Sequence, residues 1–146
     1  MDEKIERLQT HLSLIRTCAG WSSTQLGEKL GVTRQMISNL ENSRSKMTTM
    51  QYHAIRHVLE EEIARSGDAE DTQMLKDVIL VLVDEPDSFT AEQRKQVLSD
   101  ANLLAPSIVS GKTTRKNASH TWGAVLAGAA IAVAVGAAAS LLGKRK

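Results

Sequence analysis

Apolar side chains at Ile5, Leu8, Leu12 and Ile15 fall three, four and three residues apart, which places them on one stripe of a helix that Gly20 would stop. Trp21-Ser22-Ser23-Thr24 then offers hydroxyl caps for a second, short helix over residues 24–30, with Leu26 and Leu30 turned inward. Gly31-Val32-Thr33 predicts a sharp turn, after which Thr33 caps a third helix with Met36, Ile37 and Leu40 on its inner face. A fourth helix is expected from Thr48 or Thr49 to about Glu62, where Tyr52, Ile55, Val58 and Leu59 close a small core.

Beyond Ser66-Gly67-Asp68, which breaks the fourth helix, Met74, Leu75, Val78, Ile79 and Leu82 form the stripe of an amphipathic helix ending near Val83. Asp84-Glu85-Pro86-Asp87 makes a turn. Thr90-Ala91-Glu92-Gln93 has the form of a capping box that opens another helix towards Leu104. These two helices could pack on each other or pair with a second chain. From Pro106 to Thr121, Ser, Thr, Gly, Asn and Lys replace apolar periodicity, the composition of a flexible linker.

Trp122 to Leu142 then runs for 21 residues without a charged side chain. As a helix it would be about 31 Å long, close to the roughly 30 Å of bilayer hydrocarbon. Trp122 stands at one edge like an interfacial anchor, and Lys144-Arg145-Lys146 closes the other. Within the run Ala124, Gly128, Ala132, Gly136 and Ser140 recur every fourth residue, a smooth stripe along which two helices could associate in lipid. Flanking cations do not orient such a span, because Lys112, Arg115 and Lys116 balance the closing three. In the linker these cations would meet anionic head groups.

Composition sharpens the picture. Aromatic residues make up 3% of the 146 and prolines number two, which excludes an aromatic-rich β-sandwich or barrel. A single cysteine, Cys18, excludes an internal disulfide framework and a Cys-rich zinc module and suits a reducing compartment. The net charge of +1 conceals segregation: residues 1–59 carry 8 Lys/Arg against 5 Asp/Glu, residues 60–100 carry 4 against 12, and residues 101–146 carry 6 against none. Segments of opposite sign point to separate partners. The expected organisation is all-α. It comprises an N-terminal four- to five-helix domain (1–65), an acidic helical hairpin or dimerisation segment (66–105), a basic flexible linker (106–121), a single C-terminal transmembrane helix (122–142) and a basic tail (143–146).

Two short helices joined by a Gly-containing turn form a helix-turn-helix. The stretch from Gly20 through Leu26, Gly31, Thr33, Ile37 and Leu40-Glu41-Asn42 resembles the phage repressor and Cro-type helix-turn-helix family, also called the XRE family, over roughly residues 8–62. The resemblance implies that the third helix lies in the major groove, with its first side chains at base edges. Carried over, it puts Arg34 and Gln35 against bases, with Ser38 and Asn39 one turn further along that face. Arginine suits guanine, and glutamine or asparagine suits adenine. Phosphates would be held by Ser22, Ser23 and Thr33 at helix starts, and by Asn42, Arg44 and Lys46 after the third helix. The chain departs from the family at Ser23, where Gln is common, at Gly27, where Ala is common, at Ser43, often Gly, and near Met47, where Pro occurs.

The resulting expectation is a sequence-specific DNA-binding regulator of transcription, bacterial or phage in type, tethered by its C-terminal helix to the cytoplasmic membrane as a single-pass protein with the N-terminal domain in the cytoplasm. Its partners would be double-stranded DNA, membrane lipid, a second copy of itself and a protein meeting residues 66–105. The alternative is a membrane-anchored scaffold whose helix-turn-helix binds a protein. No enzyme, cofactor or metal is expected. His53 and His57 stand four apart without a supporting third ligand, and Gly111-Lys112-Thr113 lacks the earlier glycine and the strand of a phosphate-binding loop.

Overall fold

The first apolar stripe folds as two helices, α1 (Asp2–Thr10) and α2 (Leu12–Ala19), in a computed structural model that describes residues 2–128. His11 separates them, yet hydrogen bonds run through it, from His11 N–H to Arg7 C=O and from Ile15 N–H to His11 C=O. The stripe therefore keeps its register, and Ile5, Leu8, Leu12 and Ile15 are all buried. Gly20 ends α2 in the left-handed region, at φ 86°, and its N–H reaches the carbonyl of Thr17.

Helix α3 (Ser23–Leu30) starts at a capping box in which Ser22 and Gln25 satisfy each other's backbone N–H groups. Gly31, at φ 72°, closes α3, and Thr33 caps α4 (Arg34–Glu41) by accepting from the Met36 N–H. Ile37 and Leu40 are buried as expected, whereas Met36 is 40% exposed. That expectation is corrected: α4 buries a narrow stripe only, because it packs on one side. Helix α5 (Thr49–Ser66), opened by a Thr48/Gln51 capping box, runs a turn beyond the expected end to Gly67.

The second half departs more. Helix α6 (Gln73–Ile79) continues without interruption into a π-helical turn, Leu80–Asp84, and from Asp77 to Val83 every residue is buried. It is buried on every side because α1 and α2 pack against it from the N-terminal half, and α7 (Ala91–Val109) and α8 (Arg115–Gly128) from the C-terminal half. Helix α7 lies along α2. The core is continuous from Ile5 to Trp122, so residues 66–105 are an integral layer of the fold rather than a detached hairpin.

Residues 106–121, expected as a flexible linker, belong to this body as well. Pro106 lies in the last turn of α7 on its exposed side, and the helix continues to Val109. Thr114 caps α8 through the Asn117 N–H. Apart from Ala118 and Trp122, the fastenings of α8 are polar, which is why no apolar period announced it. Arg115 meets Asp71 at 2.7 Å and Glu62 at 2.9 Å and donates to the Ala19 carbonyl at 3.2 Å. Lys116 pairs with Asp68 at 3.3 Å. Ser119 Oγ accepts from the Met74 N–H at 3.2 Å, a cap for α6 supplied from 45 residues away.

Trp122 is fully buried, and its indole N–H donates to Asp77 Oδ2 at 3.0 Å. It is a core residue and not an interfacial anchor. Among the described residues no helix is long and apolar enough to cross a membrane. The expected single-pass placement in the cytoplasmic membrane is corrected accordingly, and with it the role of Arg115 and Lys116 at lipid head groups, since both face acids of the same chain. Of the small-residue stripe, Ala124 and Gly128 fall on α8. Ala132, Gly136 and Ser140, like all of the expected span beyond Gly128, lie outside the described residues.

The Glu62–Arg115–Asp71 cluster predicts an acid limb in stability. Burial opposes ionisation of both carboxyls, but hydrogen bonds from Arg65 and Arg115 to Glu62, and from Ser66 and Arg115 to Asp71, hold both below their ordinary values. A carboxylate depressed on folding stabilises above its unfolded pKa, and that contribution disappears as pH falls through the folded value. Thermal melts from about pH 5 down to about pH 2 should show a falling Tm. Glu62→Gln should lower Tm at neutral pH and flatten that limb; an unaltered limb would exclude Glu62 from the latch. Asp77 acts with the opposite sign, because burial raises its carboxyl despite hydrogen bonds from Trp122 and Gln73.

Candidate nucleic-acid interface

Packing decides which face of α4 is free. With Ile37 and Leu40 held in the core, Arg34 and Gln35 at the start of the helix are exposed, and Ser38 and Asn39 follow half-exposed. The four expected base-reading residues therefore occur on a solvent-facing side of one short helix. Gln35 Nε2 donates to Asn39 Oδ1 at 3.0 Å. This leaves Gln35 with one N–H and its carbonyl oxygen directed to solvent, the donor and acceptor that adenine's N7 and N6 amino group require.

The hydroxyls at the helix starts hold double duty. Ser22 Oγ accepts from Gln25 N–H at 3.1 Å and Thr33 Oγ1 from Met36 N–H at 3.1 Å, and each keeps its own O–H to donate to a phosphate. Ser23, half-exposed, begins α3. Arg44 and Lys46 are exposed after α4. Asn42 differs. Its Nδ2 donates to Ser38 O at 2.9 Å and Ser38 Oγ at 3.2 Å, so both amide protons are engaged within α4 and its carbonyl oxygen, an acceptor, is what remains for solvent.

Charge on this face is governed by a pair with no local signature. Arg16 on α2 grips Glu41 at the end of α4 through Nε to Oε2 at 2.6 Å and Nη2 to Oε1 at 3.1 Å, and its Nη1 donates to Trp21 O at 2.8 Å. One guanidinium thus ties α2, the entry to α3 and the exit of α4, and neutralises the acid of α4. Positions 16 and 41 are too far apart in sequence for spacing to reveal them.

Two of the departures from the family pattern, Gly27 and Met47, have physical reasons. A Cβ on Gly27 would stand 2.8 Å from the Val32 carbonyl oxygen, so its absence lets the turn before α4 close onto α3. Met47 is buried, and its N–H donates to Gln9 Oε1 at 2.9 Å, a bond proline could not make. Ser43 sits at φ 57°, in the left-handed region that favours glycine. Relief of that strain outweighs the added freedom of the unfolded chain, so Ser43→Gly should stabilise by roughly 0.5–1 kcal/mol in urea unfolding. A loss of stability would show that the Ser43 side chain compensates for its backbone.

Cys18 is buried and its thiol is pushed up to about 12 by burial, which makes it a packing residue and not a nucleophile at neutral pH. Among the described residues no group of three His, Cys, Asp or Glu side chains could hold a metal ion.

Residues 12–51 match the helix-turn-helix family. The match runs from the start of α2 into α5 and contains every expected base and phosphate contact. No curated protein and no solved structure matches the chain.

Proposed function

We propose that this helix-turn-helix makes the chain a sequence-specific DNA-binding regulator of transcription. The observation that carries the reading is the division of α4: Ile37 and Leu40 lock one side into the core, while Arg34 and Gln35 stand exposed on the other. In this reading α4 enters the major groove. Arg34 donates a bidentate pair to guanine O6 and N7, Gln35 reads adenine with Asn39 buttressing it, and Ser38 lies against the next base. Ser22, Ser23, Thr33, Arg44 and Lys46 hold phosphates, and Asn42 joins them only by releasing Ser38. Two copies would occupy half-sites about 34 Å apart, one helical turn of the duplex.

Selection of bound duplexes from a random pool tests this. The full chain should enrich one sequence, and its binding should weaken steeply with added salt. Failure to retain any duplex at low salt would instead leave the α4 face to a protein partner.

A further inference from the structure

Gln9 lies on α1, outside the residues that match the helix-turn-helix family, and its side chain is half-buried against the segment following α4. Nε2 donates to Leu40 O at 3.0 Å and to Ser45 O at 2.7 Å, and Oε1 accepts from Met47 N–H at 2.9 Å. Both amide protons and the carbonyl are thus used on three backbone groups that bracket Arg44 and Lys46. The far side of the same loop is held by the Arg44 N–H on Asn39 O at 2.8 Å. Between these fastenings the chain passes through Ser43 at φ 57°, a conformation an unanchored serine would leave.

We infer that Gln9 is a positioning residue for DNA binding, holding the 43–46 loop so that Arg44 and Lys46 meet the phosphate backbone while α4 reads bases. The inference rests on the reading of α4 as a DNA-recognition helix. A carboxamide is needed because it alone among side chains of this length donates twice and accepts once here. A carboxylate would turn lone pairs onto two carbonyl oxygens, and a methionine would fill the space and make none of the three bonds.

The test is a titration of the full chain with its selected duplex, followed by fluorescence anisotropy at several salt concentrations, for wild type, Gln9→Met, Arg44→Ala/Lys46→Ala and the combination. Each lost phosphate contact lowers the slope of log K against log salt by about 0.9. Gln9→Met should lower the slope by one to two contacts' worth, about 0.9–1.8, and keep the wild-type ranking of duplex sequences, which also shows that α4 is still folded. In the background lacking Arg44 and Lys46 it should have no further effect on the slope. Gln9→Glu should repeat the loss. A wild-type slope in Gln9→Met, or an equal further drop in the combined variant, would overturn the inference alone. A wild-type chain that binds no duplex would overturn the reading of α4 and this inference with it.

Discussion

Trp122→Ala should destabilise the chain by about 3–5 kcal/mol, the usual cost of emptying a buried aromatic site. The ring is fully buried and its N–H is a donor to Asp77, so truncation removes apolar contacts and a hydrogen bond to a buried carboxyl together. Against a total of about 5–15 kcal/mol for an ordinary domain, this is a large fraction. The Tm should fall by about 10 °C or more, in one cooperative transition. Cooperativity is the informative part. Because α8 packs on α6 and α7, and these on α1 and α2, the helix-turn-helix should melt together with the C-terminal helices. Trp122→Phe, which keeps most of the packing and loses the N–H, should cost about 1–3 kcal/mol. An unchanged melt in Trp122→Ala would remove α8 from the core.

Arg34→Ala and Gln35→Ala should leave stability near wild type and degrade discrimination between duplexes. A bidentate base contact contributes about 1–3 kcal/mol of selectivity, which is about 5- to 150-fold at one base pair. Competition with duplexes altered one base pair at a time checks this. Each variant should lose its preference at a single position in each half-site while the salt slope falls by less than one contact. Lys46→Ala should behave conversely, weakening all duplexes alike and lowering the slope by about 0.9. If Arg34→Ala weakened every sequence equally, its guanidinium would be a phosphate holder and α4 would sit differently on DNA.

Residue spacing made the first four helical segments readable, because their signals are local. The 3.6-residue stripe of α1 and α2, the glycine stops at Gly20 and Gly31 and the hydroxyl caps at Ser22, Thr33, Thr48 and Thr90 each act within a few residues of themselves. Met36 misled, since periodicity states only that a position is near the stripe, and α4 has one packing neighbour side. The C-terminal half was harder for a physical reason. Trp122 at the head of an uncharged run reads alike whether its own apolar surroundings are lipid or protein, and Arg115 and Ser119 read as linker because their partners, Glu62, Asp71 and Met74, lie more than forty residues away. Gln9 and the Arg16–Glu41 pair were illegible for the same reason: nothing in sequence spacing joins them to what they hold.

The most direct test of α4 as the reading element is an amide NMR titration of the isotopically labelled full chain with the selected duplex. The predicted result is shift changes concentrated in residues 22–25, 33–39 and 43–46, with α6, α7 and α8 unmoved. Changes centred on α6–α8, or spread evenly without a focus on α4, would contradict it.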